Sequence, residues 1–253
     1  MFFSYDHVKF RYDPFPIALV KPIIESGLYQ QFVQNFPPLE VFESFEELGK
    51  QGRKYSLSEK ENKKAYHNFI RSIPLWRDFH SWIKSDAFPY GVLEMLKQHD
   101  IDLDYRYIPR VRRLSRTVKN LVRGRPSPRH VPLKARFEFS ALPADGGHVV
   151  PHTDAPTKVV TMVVSILGEG EWDPSFGGGT DVNQPKEERR RFNYVNRLAD
   201  FEDMEVLHTY EFTANQAVIF VKTFNSWHSV RPMTGRGSNA LRKTLTINIE
   251  AKA

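Results

Sequence analysis

Three side chains in the second half of the chain have the types and the spacing of metal ligands. His152 and Asp154 lie two residues apart in Pro151-His-Thr-Asp154, and His228 lies in Asn225-Ser-Trp-His-Ser-Val230. Two imidazoles and one carboxylate can occupy one face of an iron(II) ion and leave the opposite face open for a cosubstrate and dioxygen. A lone His-x-Asp pair is a weak signal, because chance matches are frequent and most are surface pairs. The prediction therefore depends on whether the fold brings His228 to that pair.

The elements that must position these residues have the two-residue period of β-strands from about residue 132 onward. Residues 134–141 alternate between polar and apolar side chains, and 159–167 is rich in the β-branched residues typical of central strands. Further strands are predicted at 205–212, 216–222, 228–233 and 241–250. In an extended segment His152 and Asp154 project to the same side. Many short strands without interleaved helices indicate an all-β core, built as a double sheet or a barrel.

The first half of the chain, from about residue 17 to residue 104, has a mostly helical period instead. Apolar stripes recur in 24–36, 69–83 and 92–101, and we interpret their aromatic residues as core packing. The chain is therefore divided into a helical N-terminal region, residues 1–131, that packs on the core, and the β core, residues 132–253. A length of 253 residues indicates that the two parts form one structural domain overall.

Composition excludes several kinds of site. The chain has no Cys, so disulfides, thiolate nucleophiles, iron–sulfur clusters and thiolate zinc sites are all excluded. A hydrophobic fraction of 40% and a mean hydropathy of −0.48 are typical of a soluble globular protein. The opening residues lack a basic region followed by an apolar stretch, and no later run is long enough to cross a bilayer. We therefore expect a cytoplasmic protein without membrane contact; its oligomeric state is not readable from the sequence.

The net charge of +6 is concentrated in one part of the chain. No acidic residue lies between Asp104 and Glu138, and this stretch contains an Arg-rich segment, residues 105–131. Such a segment could attract phosphate, a sugar nucleotide, an acidic polysaccharide or nucleic acid, or it could be a solvated surface. Aromatic residues are sparse after Tyr107, which disfavours nucleic acid as a partner without excluding it.

The motifs together resemble those of the 2-oxoglutarate- and Fe(II)-dependent oxygenases, in the branch that looks like the prolyl hydroxylases. The resemblance spans residues 134–249 and rests on the two ligand motifs, on Gly177-Gly-Gly-Thr180 and on Arg242-Lys-Thr-Leu-Thr-Ile-Asn248. It implies a mainly β protein with a helical N-terminal part. Its core would be a double-stranded β-helix, a cupin-like jelly roll, flanked by helices.

The resemblance also implies roles for five residues. His152, Asp154 and His228 would be the metal ligands and the catalytic residues of the site. Arg242 would bind the far carboxylate of 2-oxoglutarate as a bidentate pair, and Thr244 would add a hydroxyl from the same side of the strand. The implied cofactors are Fe(II), 2-oxoglutarate as cosubstrate and O2, with ascorbate as a candidate reductant. The reaction would hydroxylate a substrate while 2-oxoglutarate is converted to succinate and CO2.

Several alternatives stay open at this point. Arg236 competes with Arg242 for the cosubstrate role, although Gly235-Arg-Gly237 has the pattern of a loop. A cupin-type metal-dependent isomerase, or a non-catalytic barrel that binds polyanions, would gain if Arg242 pointed away from the metal ligands. The substrate is unidentified: a small anionic or sugar-linked molecule is the first expectation, and peptides and amino acids are not excluded. Desaturation and ring closure are alternatives to hydroxylation.

Overall fold

The computed structural model of the protein describes residues 1–46, 53–105 and 132–251. Four α-helices lie within the first two of these ranges: α1 (Ser26–Gln34), α2 (Lys63–Ser72), α3 (Pro74–Lys84) and α4 (Ala87–Lys97). The same ranges contain β1 (Lys9–Arg11), β2 (Ile17–Val20), β3 (Glu43–Ser44) and β4 (Tyr55–Ser58). The third range contains β5 (Leu133–Pro143), β6 (Val149–His152), β7 (Lys158–Ser165), β8 (Thr180–Pro185), β9 (Met204–Tyr210), β10 (Ala217–Val221), β11 (His228–Val230) and β12 (Leu241–Ala251).

The strands form two antiparallel sheets, so the fold is mostly β. The larger sheet has the order β1-β2-β10-β7-β12-β5-β4-β3, and the smaller one has the order β6-β11-β8-β9. From β5 onward the chain passes repeatedly between them: β5, β7, β10 and β12 belong to the larger sheet, and the strands between belong to the smaller. Segments far apart in sequence therefore become neighbours, as β6 and β11 do.

One face of β5 packs against the helices and the other faces the interior between the sheets, because side chains alternate along a strand. Phe137 and Phe139 are fully buried on the helical side. There the ring of Phe139 lies 4.7 Å from that of Trp76, and Phe137 lies 5.0 Å from Phe79. The sequence interpretation of these helical aromatics as core packing is confirmed.

The six strands predicted from the two-residue period are all present, with ends that shift by at most three residues. The sequence missed β6 and β8 because they carry polar residues and a proline without a regular alternation. It also missed the four short strands of the first half, which extend the larger sheet on both edges. Runs of two to four residues are too short to establish a period.

The basic residues of the Arg-rich segment lie outside the described residues. None of the helices in the described ranges combines the length and the hydropathy that a transmembrane helix requires.

Candidate metal and anion site

His152 and His228 face each other on two neighbouring strands of the smaller sheet. His152 is the last residue of β6, His228 is the first residue of β11, and the two are register partners in the antiparallel pair. Their ring centroids lie 4.3 Å apart. The convergence on which the metal-site prediction depends is therefore produced by the pairing of β6 with β11.

Asp154 reaches the two imidazoles through a turn. Strand β6 ends two residues before it, and its φ of +71° lies in the left-handed region, which Asp tolerates better than most residues. Oδ1 lies 3.5 Å from His152 Nε2 and Oδ2 lies 3.9 Å from His228 Nε2. One ligand atom from each of the three residues lies within 4.8 Å of the others. The expectation that an extended segment aligns His152 with Asp154 was wrong, because the chain turns at Asp154.

Backbone hydrogen bonds determine which nitrogen each imidazole presents to the cluster. Nδ1 lies 2.9 Å from Val150 O in His152 and 2.9 Å from Ser226 O in His228. A carbonyl oxygen can only accept, so in the neutral tautomer that these contacts favour Nδ1 carries the proton and Nε2 has the free lone pair. This pattern is usual for histidines that bind metals. Two neutral imidazole nitrogens and a carboxylate fit a divalent first-row metal ion.

His228 is a neutral ligand by virtue of its surroundings. Burial lowers its pKa to about 3, and the neighbouring His152 contributes to the same shift. The carboxylate of Asp154 opposes the shift but does not outweigh it. The ring of Phe220 lies 4.2 Å from the imidazole and covers it. The deprotonated form that a metal requires is therefore the form present at neutral pH.

Two residues of β7 hold the Asp154 carboxylate. Lys158 donates to Oδ1, and the hydroxyl of Thr161 donates to Oδ2 over 2.8 Å. Burial alone would raise the pKa of Asp154, but Lys158 and the two imidazoles hold it well below its usual value. The carboxylate is therefore ionised and fixed in place. The sequence did not single out Lys158 or Thr161, because neither belongs to a recognisable motif.

Arg242 is a buried cation on β12. Its side chain donates to Gly178 O and, over 3.4 Å, to Thr180 Oγ1, and its guanidinium lies 4.9 Å from the centre of the Phe212 ring. Arg242 is 4% exposed and forms no ion pair with any residue in the described ranges. Burial lowers its pKa to about 10, and Asp181 opposes this shift. The competing candidate, Arg236, is exposed.

A cavity of about 120 Å³ joins Arg242 to the three candidate metal ligands. This volume is well above the ~10–15 Å³ that one water needs. Thr244 also lines it, so the five site residues predicted from the sequence all lie on one cavity. Further lining residues are Ser140, Leu142, Val163, Thr180, Val230 and Thr246.

The glycines of Gly177-Gly-Gly179 allow the backbone to approach Arg242. Gly177 and Gly178 have φ values of +81° and +82°, which other residues rarely adopt. A Cβ on Gly178 would lie 3.0 Å from Trp172 and 3.2 Å from Cδ of Arg242. The absence of a Cβ at Gly178 therefore permits the close contact between this backbone and Arg242.

The connection between β8 and β9, residues 186–203, forms hydrogen bonds with both segments that carry candidate metal ligands. Asn196 Oδ1 accepts a hydrogen bond from Thr153 N at 3.2 Å, next to His152 and Asp154. Arg191 O accepts from Trp227 Nε1 at 2.9 Å, next to His228. Nothing in the sequence indicated this role, because loop contacts depend on the tertiary fold.

No protein-family model matches the sequence, and a search of curated proteins gives no match. Similar solved structures include a prolyl-4-hydroxylase of Pseudomonas putida, with a TM-score of 0.45, 14% identity, and coverage of 94% of this chain and 93% of that chain. A prolyl hydroxylase of Trichoplax adhaerens in complex with a hypoxia inducible factor peptide has a TM-score of 0.45, 12% identity and coverage of 93% and 83%. HygX of Streptomyces hygroscopicus, with nickel and 2-oxoglutarate bound, has a TM-score of 0.47, 8% identity and coverage of 98% and 85%. These neighbours include proteins of the kind that the sequence motifs resemble, and at such identities the function has to be inferred from the site itself.

Proposed function

We propose that the chain is an Fe(II)- and 2-oxoglutarate-dependent oxygenase. The observation that carries the proposal is a buried arginine that forms no ion pair with a described residue, in the same cavity as a His-Asp-His cluster. A buried guanidinium with no carboxylate in direct contact is costly. A cavity that retains one therefore favours a ligand that brings its own carboxylate. 2-Oxoglutarate offers one carboxylate to Arg242 and a second carboxylate with a keto group to a metal ion.

Three of the site residues would bind the metal ion, and two would bind and orient 2-oxoglutarate. Nε2 of His152, Nε2 of His228 and the carboxylate of Asp154 would hold Fe(II). Arg242 would donate two hydrogen bonds from its planar guanidinium to the far carboxylate of 2-oxoglutarate, and the hydroxyl of Thr244 would donate another. Bound together, Fe(II), 2-oxoglutarate and O2 would supply the oxidation of a substrate C–H bond, coupled to release of succinate and CO2, with ascorbate as a reductant.

The remaining contribution of the protein is positioning and exclusion of water. Thr161 and Lys158 restrict the orientation of Asp154, and Phe220 shields the imidazole of His228. Fixed ligands and a fixed cosubstrate lower the barrier because the orientation is established before reaction. The reaction we propose is hydroxylation of a small molecule.

The alternation of strands between the two sheets supports a double-stranded β-helix for residues 132–253. One hydrophobic cluster contains residues of both halves, such as Phe32 and Trp76 from the helices with Phe139 and Ile247 from the sheet. This supports the proposal that residues 1–131 pack on the core as part of one structural domain. The position of Arg242 beside the ligand cluster disfavours a cupin-type isomerase or a barrel that only binds polyanions.

The test is anaerobic titration of the Fe(II)-loaded protein with 2-oxoglutarate, followed by the visible metal-to-ligand charge-transfer band. We expect the band in the wild type, its loss in His152→Ala, and weaker 2-oxoglutarate affinity in Arg242→Ala. Arg236→Ala is the matched control, since it removes an exposed arginine of the same region and should leave the titration unchanged. Absence of the band from iron-replete wild-type protein would overturn the proposal.

A further inference from the structure

A second and larger cavity, of about 660 Å³, adjoins the candidate metal ligands. Its size lies within the range of small-molecule sites. It shares four lining residues with the first cavity: Glu138, His152, Asp154 and Lys158. A molecule bound there would therefore lie against two of the three metal ligands, while 2-oxoglutarate would occupy the side of Arg242.

The lining of the second cavity is charged with both signs. Besides Asp154 and the shared Glu138 and Lys158, it contains Glu59, Lys60, Glu61, Arg136 and Glu250. Phe45 and Ala155 are its only apolar lining residues among those that the structure describes. An apolar molecule would remove water from these charged groups and offer them no hydrogen bonds in return. A molecule of one charge sign would interact favourably with either the three cations or the five carboxylates, but not with both sets.

Two ion pairs lie along the polar face of β5. Nη2 of Arg136 lies 2.9 Å from Oε1 of Glu250, whose side chain is 9% exposed. Nζ of Lys54 lies 2.6 Å from Oε1 of Glu138, with side-chain exposures of 11% and 17%. Ion pairs buried to this extent rarely stabilise a fold more than apolar residues of the same size would. Charged groups retained in a cavity point instead to a ligand.

We propose that the second cavity binds the substrate that is oxidised, and that this substrate is a small zwitterion with a protonated amine and a carboxylate or phosphate. Arg136 and Lys158 would receive the anionic group, and Glu138 and Glu250 the amine. The inference rests on the proposed function for the statement that this molecule is oxidised. It replaces the expectation from the sequence, which was an anionic or sugar-linked molecule, because the lining has five carboxylates and three cations.

Calorimetric titration of the 2-oxoglutarate-saturated protein under anaerobic conditions tests this. The zwitterionic probes are polar L-amino acids, which carry a carboxylate, and phosphoethanolamine, which carries a phosphate; their comparison identifies the anionic group. Putrescine, inorganic phosphate and glucose are the probes with one charge sign or none. We expect binding of at least one zwitterion, and weaker binding or none for the other probes. Failure of every zwitterion to bind, or preferential binding of the single-sign or neutral probes, overturns the proposal.

Two double variants test whether the zwitterion binds in the second cavity. The double variant Arg136→Gln, Glu250→Gln removes both members of one ion pair, so no lone charge stays buried and the fold is retained. We expect it to weaken zwitterion binding by at least about tenfold, as loss of charge-assisted hydrogen bonds implies. Arg190→Gln, Asp203→Asn is the control. It removes an ion pair of 2.7 Å in the connection between β8 and β9, outside both cavities, and should leave binding unchanged. Equal loss in both double variants would contradict the assignment.

Two independent measurements distinguish zwitterion binding in the second cavity from 2-oxoglutarate binding at the metal. The charge-transfer band reports 2-oxoglutarate at the metal, whereas ligand-observed NMR on protein without added metal reports occupation of the second cavity. A band without zwitterion binding retains the oxygenase and overturns the substrate class. Zwitterion binding without a band retains the cavity as a binding site, and overturns both the oxygenase and the claim that the bound molecule is oxidised.

Discussion

The hydroxyl of Thr161 donates a 2.8 Å hydrogen bond to Oδ2 of Asp154, and this contact connects the candidate metal cluster to the larger sheet. His152 and His228 belong to the smaller sheet, whereas Thr161 lies in the middle of β7. Thr161 is almost fully buried, so the bond is not in competition with solvent. The orientation of the carboxylate therefore depends on how the two sheets are packed against each other.

Replacement of Thr161 by Val should weaken metal binding, because the carboxylate loses the donor that fixes one of its oxygens. Loss of such a supporting hydrogen bond typically costs about 10–100-fold in metal affinity. The measurement is competitive titration of Fe(II) or Co(II) against a chelating dye. Thr161→Ser keeps the hydroxyl and should bind metal nearly as the wild type does. Equal affinity of Thr161→Val and wild type would show that the bond does not position the ligand.

Replacement of Arg242 by Met should weaken 2-oxoglutarate binding without lowering the free energy of unfolding. Met has a similar length and no charge, so the free energy of unfolding should stay equal or rise, because a desolvated cation is removed. The affinity for 2-oxoglutarate should fall by at least about tenfold, since charge-assisted hydrogen bonds are lost. Urea denaturation and the anaerobic titration measure the two quantities.

Arg242→Lys is the companion variant. It keeps the positive charge and loses the planar fork, so it should bind 2-oxoglutarate more weakly than the wild type without the gain in stability. A lysine variant that binds as tightly as the wild type would argue against a bidentate contact.

Gly178→Ala should weaken 2-oxoglutarate binding, whereas Gly177→Ala should not. Both positions have a left-handed φ, so both substitutions introduce backbone strain and lower the melting temperature. Only at Gly178 would the new Cβ crowd Cδ of Arg242, at 3.2 Å, while at Gly177 it would meet nothing within 4 Å. The comparison therefore isolates the displacement of Arg242 from the strain. Equal KM values for 2-oxoglutarate in the two variants would refute it.

Protonation of Glu138 should lower the free energy of unfolding as the pH falls into the acid range. Burial acts to raise its pKa, but the ion pair with Lys54 outweighs this and lowers the pKa to about 2. Because the folded pKa lies below the unfolded value of 4.5, its stabilising contribution is complete above pH 4.5 and is lost as the pH falls toward 2. The contribution is on the order of 3 kcal/mol.

The measurement for Glu138 is urea denaturation at a series of pH values across that interval. Glu138→Gln should be less stable than the wild type at neutral pH and should lose less stability on acidification, since the titrating group is gone. Parallel pH profiles of the two proteins would show that Glu138 does not titrate with a lowered pKa.

The strands and the five site residues were predictable for different reasons. β5, β7 and β12 have regular alternation or β-branched runs, and these local signals survive in the folded state. His152, Asp154 and His228 were identified because two imidazoles and a carboxylate together suit a metal ion, whereas Arg242 and Thr244 were identified from the resemblance of the motifs to a known family. The basis for joining His152 to Asp154 was nevertheless wrong, because a left-handed residue is not visible in a two-residue spacing.

The supporting residues of the site were not predictable. Lys158 and Thr161 contact Asp154 only because the chain turns back after β6, and Asn196 reaches Thr153 across more than forty residues of sequence. Hydrogen bonds of this kind follow from tertiary packing and leave no periodic signal. The ion pair between Arg136 and Glu250 was not predicted for the same reason, because the two residues come from distant strands that pair only in the complete sheet.

Strand β12 follows all the other described strands in the chain, yet it lies between β5 and β7 in the larger sheet. During synthesis, the edges of β5 and β7 that pair with β12 therefore have no partner strand until residues 241–251 are made and insert between them. Edges of this kind pair readily with other chains. Closure through contacts so distant in sequence is also slow. A nascent chain should consequently depend on protection from aggregation until β12 inserts, and the same step brings Arg242 to the cavity that it shares with His152 and His228.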